Sequence, residues 1–214
     1  MITEVNGIGK NNYIHPTAIV GSEVTLGTEN YIGPYCNITG KTIIGNNNRF
    51  ESYCSVGSPA ESIGYFDSNN GITTIGNNNI FREFITINAG TTKTTTLKNN
   101  IVMLRNSHVG HDCVLEDNVK LLCNVLIGGY SYLMEGANFG LGSICHQLVK
   151  IGAYSMIGMG TIITKTTPIK PGGVYVGSPA KYLKSNEFGF KRYNVTEQDI
   201  ILFNERYNNI VVTR

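Results

Sequence analysis

The sequence predicts an all-β protein, a parallel β-helix of hexapeptide repeats with two ejected loops and a short C-terminal α-helical tail. Three observations predict this fold: an apolar side chain recurs every six residues, glycine often follows it, and asparagine is abundant where corners would fall. A hexapeptide repeat is typical of parallel β-helices, in which each hexad forms a short strand and a corner. Asparagine and glycine tolerate the left-handed backbone that tight corners require.

The repeat predicts which side chains face the interior. Three hexads close one triangular coil, so the apolar position of each hexad should point inward. The five cysteines lack the spacing of a disulfide framework and are expected to pack as small hydrophobes. The predicted interior positions are Val20, Leu26, Ile32, Ile38, Ile44, Phe50, Val56, Ile75, Phe81, Ile87, Met103, Val109, Leu115, Leu121, Ile127, Leu133, Phe139, Cys145, Ile151, Ile157 and Ile163.

Two insertions interrupt the period, roughly over residues 58–74 and 89–100. A solenoid can eject an insertion as a surface loop without disturbing its stack, and such loops tend to line the binding face. The second insertion carries a threonine-rich run from Gly90 to Thr96, which we predict to be a polar, mobile loop.

The C-terminal tail follows an exit strand and turn predicted over Val174 to Lys181. Thr196 is the predicted N-cap of a helix and Asp199 its third residue. We expect this helix to cover the open end of the stack, because an uncapped solenoid exposes strand edges. The chain then divides into a β-helix domain, residues 1–183, and a helical tail, residues 184–214. The apolar stripe of the helix is Ile200, Ile201, Phe203, Tyr207 and Ile210.

Length and charge narrow the function. The chain has 214 residues, a net charge of +2 and a pI near 8.2, which is too mild a charge to predict a nucleic-acid partner. No apolar run is long enough for a signal peptide or a membrane span, so we predict a cytoplasmic protein.

Three of the four histidines are candidates for chemistry. His108, His111 and Asp112 fall within five residues, and His146 follows His111 by 35 residues, nearly two coils. Three interpretations are open: a general base for acyl transfer, a zinc site with imidazole ligands, or polar corner residues without a catalytic role.

The chain also resembles a known family, the hexapeptide-repeat acyltransferases, and specifically the UDP-N-acetylglucosamine acyltransferases of lipid A synthesis and related nucleotide-sugar N-acyltransferases. The resemblance runs from about Ile14 to Arg192, and its most specific element is His-x-x-His-Asp-Cys, His108 to Cys113. It implies a left-handed β-helix that assembles as a homotrimer, with active sites between subunits. The other matching stretches are residues 14–20, 31–36, 80–87 and 146–147.

The resemblance also implies roles for individual residues. His111 corresponds to the general base, Asp112 to its acidic partner, and Gly129 to the backbone N–H that stabilises the oxyanion. Adjacent strand residues point to opposite faces, so Asp112 is not expected to need contact with His111 of its own chain. The implied substrate-binding residues are His108, Tyr130, His146, Asn88, Ser62, Asn186 and Arg192.

Several positions depart from the family's pattern. Ser62 and Gly64 stand where the lipid A enzyme carries an aspartate and a lysine, and Asn88 and Tyr130 stand where it has histidines. Met159 replaces a glycine of the acyl pocket and predicts a shorter pocket, unless its side chain is ordinary interior packing.

These features predict an acyltransferase that moves a short acyl group to an amine or hydroxyl of a nucleotide-activated sugar, for surface polysaccharide or lipopolysaccharide synthesis. An acyl thioester is the expected co-substrate, with acyl-CoA favoured over acyl carrier protein, and we predict no permanently bound cofactor or metal. The alternatives are an acyl-carrier-protein-dependent UDP-N-acetylglucosamine O-acyltransferase, a zinc enzyme of the carbonic anhydrase type, and a non-catalytic structural solenoid.

Overall fold

A computed structural model describes residues 7–66 and 70–214 as a solenoid of short strands followed by two helices. The elements are β1 (Tyr13–Ile14), β2 (Ile19–Val20), β3 (Thr25–Leu26), β4 (Tyr31–Ile32), β5 (Asn37–Ile38), β6 (Lys41–Ile44), β7 (Arg49–Phe50), β8 (Ser55–Ser58), β9 (Ile72–Ile75), β10 (Ile80–Phe81), β11 (Thr86–Asn88), β12 (Thr94–Leu97), β13 (Val102–Met103), β14 (His108–Val109), β15 (Val114–Leu115), β16 (Lys120–Leu121), β17 (Leu126–Ile127), β18 (Tyr132–Leu133), β19 (Asn138–Phe139), β20 (Ile144–Cys145), β21 (Lys150–Ile151), β22 (Met156–Ile157), β23 (Ile162–Ile163), β24 (Gly173–Val176), β25 (Lys181–Ser185), α1 (Glu187–Tyr193) and α2 (Glu197–Asn209).

Successive strands along the chain belong in turn to three different sheets. Each strand from β1 to β20 pairs in parallel with the strand three places along the chain, and β22 pairs with β24. This gives a ten-stranded, an eight-stranded and a seven-stranded sheet within the described residues. One coil advances the chain by 18 residues where no insertion intervenes, as in the pairing of Leu115 with Leu133. The predicted parallel β-helix is therefore confirmed. The ten-stranded sheet ends in an antiparallel pair, β24 with β25.

The interior is the column of apolar side chains that the repeat predicts. Every predicted interior residue from Leu26 to Ile163 is buried, while Val20 in the first coils is half-buried. Burying one such aliphatic side chain contributes roughly 1.5–3 kcal/mol. Cys123 departs from the prediction for the cysteines, because it lies half-buried at a corner whereas the other four are buried.

Both insertions leave the solenoid at one corner, where the chain passes from the eight-stranded to the seven-stranded sheet. The first occupies residues 59–71 between β8 and β9, and its residues 67–69 lie outside the described part of the chain. The second occupies only residues 89–93. The prediction of a loop to Thr96 is wrong because β12 begins at Thr94, and Thr95 is fully buried. Leu97 lies 18 residues before Leu115 and pairs with it, so this stretch belongs to the repeat.

The tail lies along the flank of the solenoid, so the prediction that its helix covers the open end is wrong. Tyr207 packs against Met134 and Ala153 on successive coils. Arg206 pairs with Glu116 and Glu135 on the same flank. The predicted helix start is confirmed, because Thr196 and Asp199 form a reciprocal capping box. Of the predicted apolar stripe, Ile201 is instead 53% exposed.

Two further expectations concern the whole chain. The boundary predicted between residues 183 and 184 falls inside β25, and the division into domains stays a prediction. Neither described helix is long and apolar enough to cross a membrane.

Candidate active site

His111 and Asp112 lie at the corner between the eight-stranded and seven-stranded sheets, which we call the His111 corner. His111 is 8% exposed, and its Nδ1 lies 2.6 Å from Oδ2 of Asp112 in the same chain. The expectation that the two side chains point apart is wrong, because Asp112 is a corner residue with φ +60° rather than a strand residue. An ionised carboxylate only accepts hydrogen bonds, so Nδ1 carries the imidazole proton and Nε2 is left as a base.

Asp112 is held by the second insertion. Oδ1 accepts from the backbone N–H groups of Thr91, Thr92 and Lys93 at 2.9, 3.1 and 2.7 Å, and Oδ2 accepts from the Thr91 hydroxyl at 2.7 Å. Burial alone would raise the pKa of Asp112, but the hydrogen bonds from His111, Thr91 and Lys93 lower it below its usual value. The carboxylate is therefore ionised at neutral pH, as a partner of an imidazolium must be. Thr91 and Lys93 are functional candidates that the sequence does not predict, because a polar threonine-rich run is typical of a mobile loop.

Gly129 lies one coil from His111 and packs closely against the His111 ring. A Cβ at Gly129 would come within 2.8 Å of His111 Nε2, so a side chain there would displace the imidazole. The Gly129 carbonyl accepts from Leu148, while its N–H has no acceptor among the described residues. An unpaired backbone N–H on a residue packed against the imidazole is the kind of group that can serve as an oxyanion donor.

Tyr130 and His108 flank the pair. The Tyr130 ring meets the His111 ring edge-on with centroids 5.0 Å apart, and its hydroxyl lies 2.7 Å from Thr91 Oγ1. His108 Nδ1 lies 2.7 Å from Thr86 Oγ1. Burial lowers the pKa of His108, opposed by Glu61 and assisted by His111, so His108 is neutral at neutral pH.

Asn88 and Ser62 lie at the same corner. Asn88 is buried at the end of β11 and donates to the Pro59 carbonyl at 3.0 Å, while its side-chain oxygen is buried with no partner among residues 7–66 and 70–214. Ser62 is half-buried within the first insertion. The structure therefore brings His108, Asn88 and Tyr130 to the His111 corner. Ser62 belongs to the insertion that leaves the same corner two coils away, next to Glu61, whose carboxylate lies 3.9 Å from His108 Nε2.

Four predicted site residues lie elsewhere in a single chain. His146 is two coils along the stack, roughly 10 Å from the level of His111 by strand spacing, and donates to the Gln147 carbonyl. Met159 is 73% exposed at the corner between the ten-stranded and eight-stranded sheets, so its alternative as interior packing is wrong. Asn186 and Arg192 belong to the tail.

Asn186 has a structural role that the sequence did not predict. Its side-chain oxygen caps α1 by accepting from Gly189 N–H at 3.1 Å, and its amide donates to the Tyr154 carbonyl at 2.8 Å. Within one chain its amide is therefore engaged at both ends. Among the described residues, no three His, Cys, Asp or Glu side chains gather into a group that could hold a metal ion.

No protein-family model matches the chain. The acyl-[acyl-carrier-protein]–UDP-N-acetylglucosamine O-acyltransferase of Pseudomonas savastanoi pv. phaseolicola is 30% identical over 129 residues, 59% of this chain and 49% of that protein. Its counterpart from Gloeothece citriformis is 32% identical over 118 residues, 54% of this chain and 42% of that protein. The chain thus spans about half the length of the curated relatives it matches.

Solved structures extend the likeness over nearly the whole chain. The UDP-N-acetylglucosamine acyltransferase of Francisella novicida superposes with a TM-score of 0.75 at 25% identity, over 97% of this chain and 79% of that one. LpxA from Acinetobacter baumannii gives 0.70 at 28% identity, over 96% and 84%. This chain is a left-handed hexapeptide-repeat β-helix that resembles the UDP-N-acetylglucosamine acyltransferases.

Proposed function

We propose that this β-helix is an acyltransferase that moves an acyl group from an acyl-carrier-protein thioester to a hydroxyl of UDP-N-acetylglucosamine or a closely related nucleotide sugar. The observation that carries the proposal is the His111 imidazole, held through Nδ1 by Asp112, with Gly129 packed against its free Nε2. The names of the curated relatives support this donor and acceptor. They give no support to the acyl-CoA preference predicted from the sequence.

The proposed reaction needs one base and one oxyanion donor. His111 Nε2 takes the proton of the acceptor hydroxyl as its oxygen attacks the thioester carbonyl, a step that general-base catalysis accelerates about 10²–10⁴-fold. Asp112 stabilises the resulting imidazolium. The Gly129 N–H donates to the oxyanion of the tetrahedral intermediate, a contribution of roughly 2.7–4 kcal/mol. Collapse breaks the carbon–sulfur bond and forms the ester, and the departing thiolate receives the proton from His111.

We further propose that the protein acts as a homotrimer with its sites between subunits. His146, Met159, Asn186 and Arg192 would then contribute from positions that a single chain leaves apart from His111. An apolar row on the outer face of the eight-stranded sheet supports a subunit contact there. Leu126, Ile144 and Ile162 form this partly exposed row beside His108. Sedimentation equilibrium tests this arrangement, and a monomer at micromolar concentration would contradict it.

The predicted acceptor pocket is where this chain departs from the lipid A pattern. Ser62, Gly64, Asn88 and Tyr130 differ from the lipid A pattern while His111, Asp112 and Gly129 agree with it. We therefore expect the acyl-transfer chemistry to be retained. The preferred acceptor should be a different nucleotide sugar, or the range of accepted nucleotide sugars should extend beyond UDP-N-acetylglucosamine.

The test is turnover by the purified full chain. Acyl carrier protein and coenzyme A thioesters of matched chain length are offered with UDP-N-acetylglucosamine and with UDP- and dTDP-amino sugars, and products are identified by mass spectrometry. Treatment with hydroxylamine cleaves an ester and leaves an amide, so it separates O- from N-acylation. Absence of acylated product with every donor and acceptor pair would contradict the proposal.

A further inference from the structure

Tyr130 contacts His111 directly and Asp112 through Thr91. Its ring meets the imidazole of His111, and its hydroxyl reaches Asp112 through Thr91. We infer that Tyr130 and Thr91 are positioning residues that extend the His111–Asp112 pair into a four-residue hydrogen-bonded chain. This inference rests on the proposed function for the role of His111 as a base, and it reassigns Tyr130 from substrate binding.

The direction of each hydrogen bond follows from a count of protons. A threonine hydroxyl has one O–H, and an ionised carboxylate can only accept. The 2.7 Å contact with Asp112 Oδ2 therefore takes the Thr91 proton. The 2.7 Å contact between Thr91 and Tyr130 must then take the tyrosine proton. The protons run from Tyr130 to Thr91 to Asp112, while His111 Nδ1 donates to the same Oδ2 from the other side.

This arrangement gives the two hydroxyls a defined effect on the base. Oδ2 of Asp112 accepts from both Thr91 Oγ1 and His111 Nδ1, so the Thr91 hydroxyl fixes the orientation in which this oxygen meets the imidazole. Tyr130 polarises the Thr91 hydroxyl and makes it a stronger donor, because chained hydrogen bonds reinforce one another. The edge-on tyrosine ring also limits the tilt of the His111 imidazole.

The Tyr130 hydroxyl is thereby committed within the chain. The Tyr130 hydroxyl donates its proton to Thr91, and the Tyr130 backbone N–H donates to the His111 carbonyl at 2.9 Å. A substrate-binding tyrosine would raise the KM for the sugar when its hydroxyl is removed. A positioning tyrosine lowers kcat and leaves that KM nearly unchanged.

The kinetic test compares two variants that each remove one hydroxyl, the double variant that removes both, and a variant that keeps the Thr91 hydroxyl. Thr91→Val keeps the backbone N–H bonds to Asp112, and we expect it to lower kcat about 10-fold, since hydrogen bonds to charged groups are among the stronger ones. Tyr130→Phe should lower kcat about 3-fold. The double variant should be no slower than Thr91→Val, because Tyr130 acts through Thr91. Thr91→Ser should retain most of the wild-type kcat.

A spectroscopic test requires no turnover. The His111 Nδ1 proton should give a downfield proton NMR signal, identified by its loss in His111→Gln. Thr91→Val should move this signal, Tyr130→Phe should move it less in the same direction, and Thr91→Ser should leave it in place. Tyr132→Phe is the matched control, because it removes a hydroxyl that donates to the remote carboxylate of Glu116 at 2.7 Å.

The two tests separate this inference from the proposed function. A lack of acyltransferase activity would contradict the proposed function. The NMR signal would still report the hydrogen-bonded chain from Tyr130 to His111. An unmoved signal in both Thr91→Val and Tyr130→Phe, the absence of any downfield signal in the wild type, or a KM effect without a kcat effect would overturn the inference.

Discussion

His111 and Asp112, adjacent in sequence, share a 2.6 Å hydrogen bond between Nδ1 and Oδ2 within one chain. The contact exists because the backbone turns through a left-handed conformation at Asp112, which swings its carboxylate beside the imidazole. Each chain thus orients its own imidazole.

The role of Asp112 can be tested by an isosteric change. Asp112→Asn cannot stabilise an imidazolium, and it replaces an acceptor by an amide that faces backbone N–H donors. We expect kcat to fall by about 10²–10⁴-fold. Asp117→Asn is the control, because Asp117 accepts from the Asn99 backbone at 2.8 Å at another corner. Steady-state turnover of Asp112→Asn within a few-fold of the wild type would rule out this role.

A methyl group at Gly129 should disturb the base directly. The Cβ of Gly129→Ala would lie 2.8 Å from His111 Nε2, so the ring must move. We expect kcat to fall by about 10²-fold, the size of the loss when a catalytic group is displaced by about 1 Å. Gly21→Ala is the control, because its Cβ would meet nothing closer than 3.5 Å. Equal activities of the two variants would show that the close approach at Gly129 has no functional role.

Met159 tests the length of the acyl group. Its side chain is 73% exposed, so Met159→Ala should not change the free energy of unfolding by more than about 0.5 kcal/mol. If Met159 limits an acyl pocket between subunits, this change should shift the preference of the enzyme toward longer acyl thioesters. The measurement is competition among donors of increasing length, with Leu141→Ala, one coil away at the same corner, as control. An unchanged length preference in Met159→Ala would refute the pocket.

Glu116 makes the tail sensitive to acid. Burial alone would raise its pKa, but hydrogen bonds with Glu135 and Tyr132 and the nearby charges of Arg206 and Lys98 lower it to about 2. A folded-state pKa below the usual 4.5 contributes stability above that pH, which is lost as the pH falls from 4.5 toward 2. The free energy of unfolding of Glu116→Gln should therefore fall less than that of the wild type over this range.

Glu135 acts in the opposite direction within the same cluster. Burial and then the hydrogen bond with Glu116 raise the pKa of Glu135. Protonation of Glu135 in acid therefore partly offsets the loss of folding stability that protonation of Glu116 causes. Glu116 dominates because it is nearly fully buried and accepts from Tyr132, Arg206 and Lys98. Urea unfolding at successive pH values measures the difference, with the exposed Glu205→Gln as control. Parallel curves for the wild type and Glu116→Gln would contradict this account.

The interior and the identity of the proposed base could be predicted from the sequence, whereas the contacts of the base could not. A six-residue period encodes burial directly, and the burial that it predicts for residues such as Phe50 and Leu121 is confirmed. The contact of Asp112 depends on a single φ angle and on the closure of the Thr91 loop, which no periodic pattern encodes. A signal was present in Leu97, whose spacing from Leu115 shows that the repeat resumes early.

The flank occupied by the tail was also not predictable. An apolar stripe shows that a helix packs on something, without showing which surface receives it. Here the surface is selected by Arg206, which pairs with Glu116 across 90 residues of sequence. Pairing at such separations leaves no local pattern.

The central claim is that His111 is the base. The most direct measurement is kcat of His111→Ala with the thioester and nucleotide sugar that the wild-type protein turns over. His15→Ala is the matched control, because His15 lies in the first coil and its Nδ1 contacts Thr17, outside the His111 corner. Thermal unfolding of both variants verifies that they fold. The account predicts a fall in kcat of about 10²–10⁴-fold for His111→Ala and none for His15→Ala. A folded His111→Ala protein with near-normal kcat would contradict it.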